Sequence, residues 1–191
     1  MQHGKEFCRP EGTTLKDLTW TPHPGFSCAH FGFRSFDRDY VTVAWPTEGV
    51  ERLLAETFGP DYSSWIDVRS IPKCGAGVAV LYQQESDPSS IGGIIFGRPK
   101  GALNASEGLA VWRIDLLAAR SGLGIGGRLL TRFLSEAQSK GAKTVLVDTD
   151  PERTEAIAFY QKHGFIDAGR VEGFYFYNGH PAPAVFLRKD L

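Results

Sequence analysis

Four glycines in six residues, Gly122-Leu123-Gly124-Ile125-Gly126-Gly127, stand between a strand-like run and the start of a strongly amphipathic helix. Unpartnered backbone N–H groups and the positive end of the helix dipole converge at such a place, and glycine lets an anion approach where a side chain would obstruct it. Phosphate binding is the chemistry this suits; the plainer alternative is a tight turn with close helix packing. Gly122, Gly124 and Gly127 match the spacing GxGxxG, and Asp148 ends the next strand where a ribose-binding acid would stand, so a nicotinamide dinucleotide is one ligand to weigh. Ala118 to Ser121 separate the turn from its strand, however, and too little chain follows Asp148 for further strand–helix–strand units.

Other residues invite chemistry less directly. Asp115 interrupts an apolar strand, which makes it either a site carboxylate or the partner of Arg113, two residues away on the same face. His3, His23, His30, His163 and His180 show no ligand spacing, so no metal is expected. Cys8, Cys28 and Cys74 are an odd number without a CxxC pair, which argues for a reducing compartment. The first residues, Met1 to Phe7, carry no apolar core of an export signal, and the expected location is cytoplasmic.

The elements that must position these residues follow from periodicity. Residues 1–25 hold Pro10, Pro22 and Pro24 without a period and read as an arm; residues 26–191 read as one domain. Tyr40 to Ala44 alternate as a strand does, with a hairpin around Asp37-Arg38-Asp39. Val50, Leu53, Leu54 and Phe58 have helical spacing, closed by Gly59-Pro60, and a short helix and loop follow. Val78–Tyr82, Ile91–Phe96 and Leu109–Leu117 read as three antiparallel strands, the first two joined by a turn over residues 85–90. Ile125, Leu129, Phe133 and Ala137 recur every fourth residue up to Lys140-Gly141. Thr144–Val147 is a short strand, Asp150-Pro151 opens a helix to His163, and two strands around Phe165 and Val185–Leu187 close the chain.

A chain of 191 residues with 42% apolar and 23% charged residues is long and apolar enough for one folded core. No apolar stretch approaches the ~20 residues of a spanning helix. A net charge of -1 gives no field to attract nucleic acid or an anionic bilayer, so neither is expected as a partner.

From Leu109 onward the sequence resembles the GNAT family of N-acetyltransferases. Ser121-Gly122-Leu123-Gly124-Ile125-Gly126 occupies the frame of that family's pyrophosphate motif, Arg/Gln-x-x-Gly-x-Gly/Ala, with Ser121 where Arg or Gln is common and Arg120 one residue early. Ala156-Ile157-Ala158-Phe159-Tyr160-Gln161-Lys162-His163-Gly164-Phe165 is similar to the second motif, Asn-x-x-Ala-x-x-Phe/Leu-Tyr-x-x-x-Gly-Phe, with Arg153 in place of Asn. The resemblance implies an α/β fold whose mostly antiparallel, splayed central sheet is flanked by helices, preceded here by an N-terminal arm or extra hairpin. It implies acetyl-CoA as cosubstrate, without a metal, held by Leu116, Leu117, Ala118, Ser121, Gly122, Gly124, Ile125, Gly126, Gly127 and Arg153. It also implies direct acetyl transfer to an amine, on a small molecule or peptide, with Tyr160 as general acid toward the thiolate. Asp148 is the first candidate for general base, with Asp115 and Glu107 as alternatives. The acceptor would meet Tyr62, Trp65 and Asp67 on one side and Phe174 to Asn178 with His180 on the other; these aromatics equally suit a second small core or a homodimer interface. A non-catalytic coenzyme-A-binding domain is the rival class, encouraged by Ser121 and Arg153, and a nicotinamide dinucleotide protein is the third.

Overall fold

The computed structural model describes residues 33–36, 46–64, 66–69, 71, 77–84, 87–100, 111–120, 122–177 and 180–191. The expected arm at 1–25, the hairpin at Asp37–Asp39 and the strand at Tyr40–Ala44 lie outside the described residues. The elements are β1 (Phe33–Phe36), α1 (Thr47–Phe58), a 3-10 turn at Pro60–Ser64, β2 (Val78–Gln84), β3 (Asp87–Pro99), β4 (Val111–Ala119), α2 (Ile125–Ser139), β5 (Thr144–Thr149), α3 (Thr154–Lys162), β6 (Ile166–Tyr177) and β7 (His180–Asp190). The strands form a seven-stranded sheet in the order β1-β2-β3-β4-β5-β7-β6, antiparallel throughout except for the β4–β5 pair. One parallel pair is not the doubly wound sheet of a dinucleotide fold.

Apolar residues divide over the two faces. Val50, Leu53 and Leu54 of α1 bury one face with Ile94, Phe96 and Leu116, whereas Leu129, Leu130 and Phe133 of α2 bury the other with Ile95, Trp112 and Val145. The side chains of β4 change faces midway: Trp112 and Ile114 belong to the α2 core, Leu116 and Ala118 to the α1 core. A bulge causes the change, because Phe96 pairs with Leu116 while Gly97 pairs with Ile114, leaving Asp115 as the extra residue.

Two boundaries differ from the sequence expectation. Helix α3 begins at Thr154 rather than at Asp150-Pro151, since the Asp150 carboxylate accepts the Glu152 amide at 2.9 Å and so stabilises a turn in place of a helix start. Turn-type residues at 87–90 lie inside β3: Asp87 pairs with Gln84 and the next partners are Ile91 and Gln83, so the intervening residues form an irregularity in the strand.

Candidate active site

The β4–β5 ladder runs from Val111↔Thr144 to Ile114↔Val147 and stops there. Beyond it, β4 continues through Leu116, Leu117 and Ala118 paired only with β3, and β5 continues through Asp148 and Thr149 paired only with β7. The edge of β4 facing the gap therefore carries backbone N–H and C=O groups of an extended strand with no strand beside it.

The glycine-rich turn follows the end of that strand. Gly122 and Gly124 have φ of 84° and 66°, and Gly124 is the N-cap of α2. A β-carbon at either would meet nothing within 4 Å, so left-handed backbone rather than crowding calls for glycine, and the space in front of the turn is open. The first intrahelical bond is from the Arg128 amide to the Gly124 carbonyl at 3.3 Å, which leaves the amides of Ile125, Gly126 and Gly127 without an acceptor inside the helix. No side chain caps this end and no acid stands in its first turn. Gly127 has a second role, because a β-carbon there would lie 2.9 Å from Nε2 of His163, whose Nδ1 donates to the Phe159 carbonyl at 2.7 Å. Ser121 lies outside the described residues, and Arg120 pairs with Glu56 of α1 at 3.3 Å. The Arg153 guanidinium stands 5.2 Å from the Phe58 ring at the end of α1.

Tyr160 is held by the way α3 ends. The Phe165 amide bonds to the Tyr160 carbonyl at 3.1 Å and the Gly164 amide to Gln161 at 2.9 Å, a Schellman cap made possible by φ of 83° at Gly164. Phe165 then packs edge-on against the Tyr160 ring, with centroids 5.3 Å apart. The Tyr160 side chain is buried, and burial together with the nearby Asp148 charge pushes its phenol far above the usual tyrosine range. It remains protonated at every neutral pH.

The sheet face that carries α1 also carries a charge ladder across four strands. Arg98 of β3 donates to Asp115 at 2.9 Å, Arg113 of β4 lies 3.5 Å from Asp115, and Arg113 donates to Asp148 of β5 at 2.7 Å. The hydroxyl of Tyr175, on β6, donates to the other Asp148 oxygen at 2.5 Å. Phe174 stacks edge-on against Phe186, which pairs with Asp148, and lies 5.7 Å from the Arg113 guanidinium. Asp115 is thus paired with Arg113, as the sequence allows, and additionally with Arg98. Tyr175 is one of the expected acceptor residues, but its bond to Asp148, like that of Arg98 to Asp115, has no signal in the sequence, since both arise from pairing between distant segments. Of the expected acceptor residues, Tyr62 packs against the α1 core and Asp67 accepts the Arg69 amide at 3.0 Å. Burial raises the Tyr62 phenol's pKa, and Glu51 adds to the rise. Trp65, Asn178 and Glu107 lie outside the described residues. Among the described residues no cluster of three or more His, Cys, Asp or Glu could hold a metal, and no helix is long and apolar enough to cross a membrane.

Comparison with known proteins bears on this arrangement. Residues 30–165 match the model of the acetyltransferase (GNAT) family. Among solved structures, an aminoglycoside 6'-acetyltransferase type Ii is 24% identical, with a TM-score of 0.64 over 83% of this chain and 96% of that one. An aminoglycoside 6'-N-acetyltransferase complexed with coenzyme A is 21% identical, with a TM-score of 0.61 over 83% and 96%. NAA60 from Arabidopsis thaliana, in complex with a bisubstrate analogue, is 14% identical, with a TM-score of 0.63 over 83% and 97%. At these identities the structures speak for the fold. No curated protein matches the sequence. With the family model spanning most of the chain and the split sheet matching in fold, this protein belongs to the GNAT family of acetyltransferases.

Proposed function

We propose that this protein is an acetyl-CoA-dependent N-acetyltransferase that passes the acetyl group directly to the amine of a small molecule or peptide. The observation that carries the reading is a juxtaposition: the ladder ends at Ile114↔Val147, an uncapped helix end lies beyond β4, and a buried, protonated Tyr160 feels Asp148 at the end of β5. The chain fits the cosubstrate at both ends of the gap. The backbone of Leu116, Leu117 and Ala118 offers an open strand edge to an amide-bearing pantetheine arm, and Gly122, Gly124 and the amides of Ile125, Gly126 and Gly127 suit a pyrophosphate. Ser121, which precedes the glycine run in sequence, and Arg153, which precedes α3, belong to the same assignment. Bound acetyl-CoA supplies the thioester that an amine attacks.

Tyr160, protonated in its site, is the residue assigned to protonate the departing thiolate. Asp148 is the carboxylate assigned to the acceptor's proton. Asp115 lies between two arginines whereas Asp148 meets only Arg113 of the two, which favours Asp148, and Glu107 is the remaining alternative.

Calorimetric titration with acetyl-CoA, using NAD as the control ligand, tests the reading, followed by a screen of amines for thiol release. Saturable binding of acetyl-CoA, silence toward NAD and amine-dependent thiol release are expected. Binding without transfer to any amine would leave a coenzyme-A-binding domain; binding of NAD alone would overturn the cradle assignment.

A further inference from the structure

Asp148 is a base that the acceptor cannot easily reach. Its side chain is 1% exposed; one oxygen accepts from Nε of Arg113 at 2.7 Å, with Nη2 of the same guanidinium in ion-pair contact at 2.6 Å, and the other accepts from the Tyr175 hydroxyl at 2.5 Å. Of those two partners, guanidinium does not exchange its charge near neutral pH, whereas a phenol both donates and accepts. Tyr175 is half-buried, and its hydroxyl meets the buried carboxylate. Helix α1 packs on β3 and β4 of this face.

We propose that Tyr175 is a catalytic residue that relays the acceptor's proton to Asp148, an inference that rests on the acetyltransferase reading above. As the ammonium N–H bond breaks, its proton bonds to Oη of Tyr175; the original Tyr175 proton passes to Oδ2 of Asp148. The phenol ends as it began, the carboxylate is neutralised, and the nitrogen keeps the lone pair that attacks the thioester. Among the described residues, the groups facing Asp148 include Arg113 of β4, Tyr160 of α3, Tyr175 of β6 and the uncharged Phe186 of β7; Arg113 is shared with Asp115, which Arg98 of β3 also holds.

The test uses the full chain, acetyl-CoA and an amine panel of kanamycin, spermidine and a tetrapeptide with a free α-amine, with thiol release measured from pH 6 to 9.5. For Tyr175→Phe, kcat should fall on the order of 100-fold at pH 7, while acetyl-CoA affinity by calorimetry stays within about threefold. The deficit should shrink as pH approaches the amine's own pKa, where the acceptor is already neutral. Asp148→Asn should show the same pH dependence, and the double variant should be no worse than either single one. A deficit equal at all pH values would make Tyr175 a structural contact and overturn the relay, as would activity within twofold of the unchanged protein. Failure of the unchanged protein to acetylate any amine would instead overturn the acetyltransferase reading on which the relay stands.

Discussion

Tyr160 illustrates how one side chain can be both a core residue and a chemical group. Its ring is buried among Phe159 and Phe165, and the low-dielectric surroundings and the Asp148 charge both oppose ionisation. The sign of the linkage follows. Above the ordinary tyrosine pKa of ~10 the unfolded chain loses this proton and the folded chain keeps it, so stability falls as pH rises, by about 1.4 kcal/mol per unit from this group. Urea titrations between pH 9.5 and 11.5 should show that slope reduced in Tyr160→Phe. At neutral pH the same variant should lose roughly 100-fold in kcat with acetyl-CoA affinity within about threefold, measured by thiol release and calorimetry. Gly124→Asp tests the other end of the site. A side chain in the left-handed conformation costs about 1 kcal/mol, and a carboxylate at a helix N-terminus returns a comparable amount, so melting should change little. The added charge should weaken acetyl-CoA binding by at least about 100-fold in calorimetry, since it competes for the amides assigned to the pyrophosphate.

At the scale of elements, the Tyr-x-x-x-Gly-Phe pattern has a mechanical meaning: Gly164 turns the chain and Phe165 returns onto Tyr160 as the hydrophobic contact of the cap. Gly164→Ala would force an alanine to φ of 83° and place its β-carbon 2.7 Å from Nζ of Lys189. A loss of about 1–2 kcal/mol in urea unfolding is expected, with kcat reduced more than acetyl-CoA affinity because Tyr160 loses its anchor. These helices were legible in the sequence because their signals are local: a four-residue apolar repeat, a cation and a glycine at the end. The start of α3 was not, since Asp150 can cap either a helix or a turn and only the Glu152 contact distinguishes them. The turn before α2 was legible as a glycine run. Its reason was only partly so: Gly124 answers to backbone conformation, whereas Gly127 also makes room for His163.

Across the whole molecule, the bulge at Asp115 connects the two cores to the charge ladder. Arg98 and Arg113 are direct cross-strand partners, an arrangement in which like charges repel, and the extra residue sets Asp115 between them. Asp115→Ala should cost about 3–5 kcal/mol in urea unfolding by leaving the two cations opposed, a larger loss than for the exposed pair of Arg170 and Glu172. Acetyl-CoA at 100 times its Kd should stabilise the fold by about 2.7 kcal/mol, visible as a rise in Tm that NAD does not produce.

The sequence by itself determined the order of elements, the helix faces and the two motifs near Gly124 and Tyr160, because each depends on residues within a few positions of one another. Tertiary structure decided that Asp115 and Asp148 both follow the last rung of the β4–β5 ladder, that Arg113 serves both, and that Tyr175 reaches Asp148 across 27 positions. Those outcomes depend on strand register, on where the β4–β5 ladder stops and on one bulge, and a one-residue change in any of them would turn the same side chains to the other face.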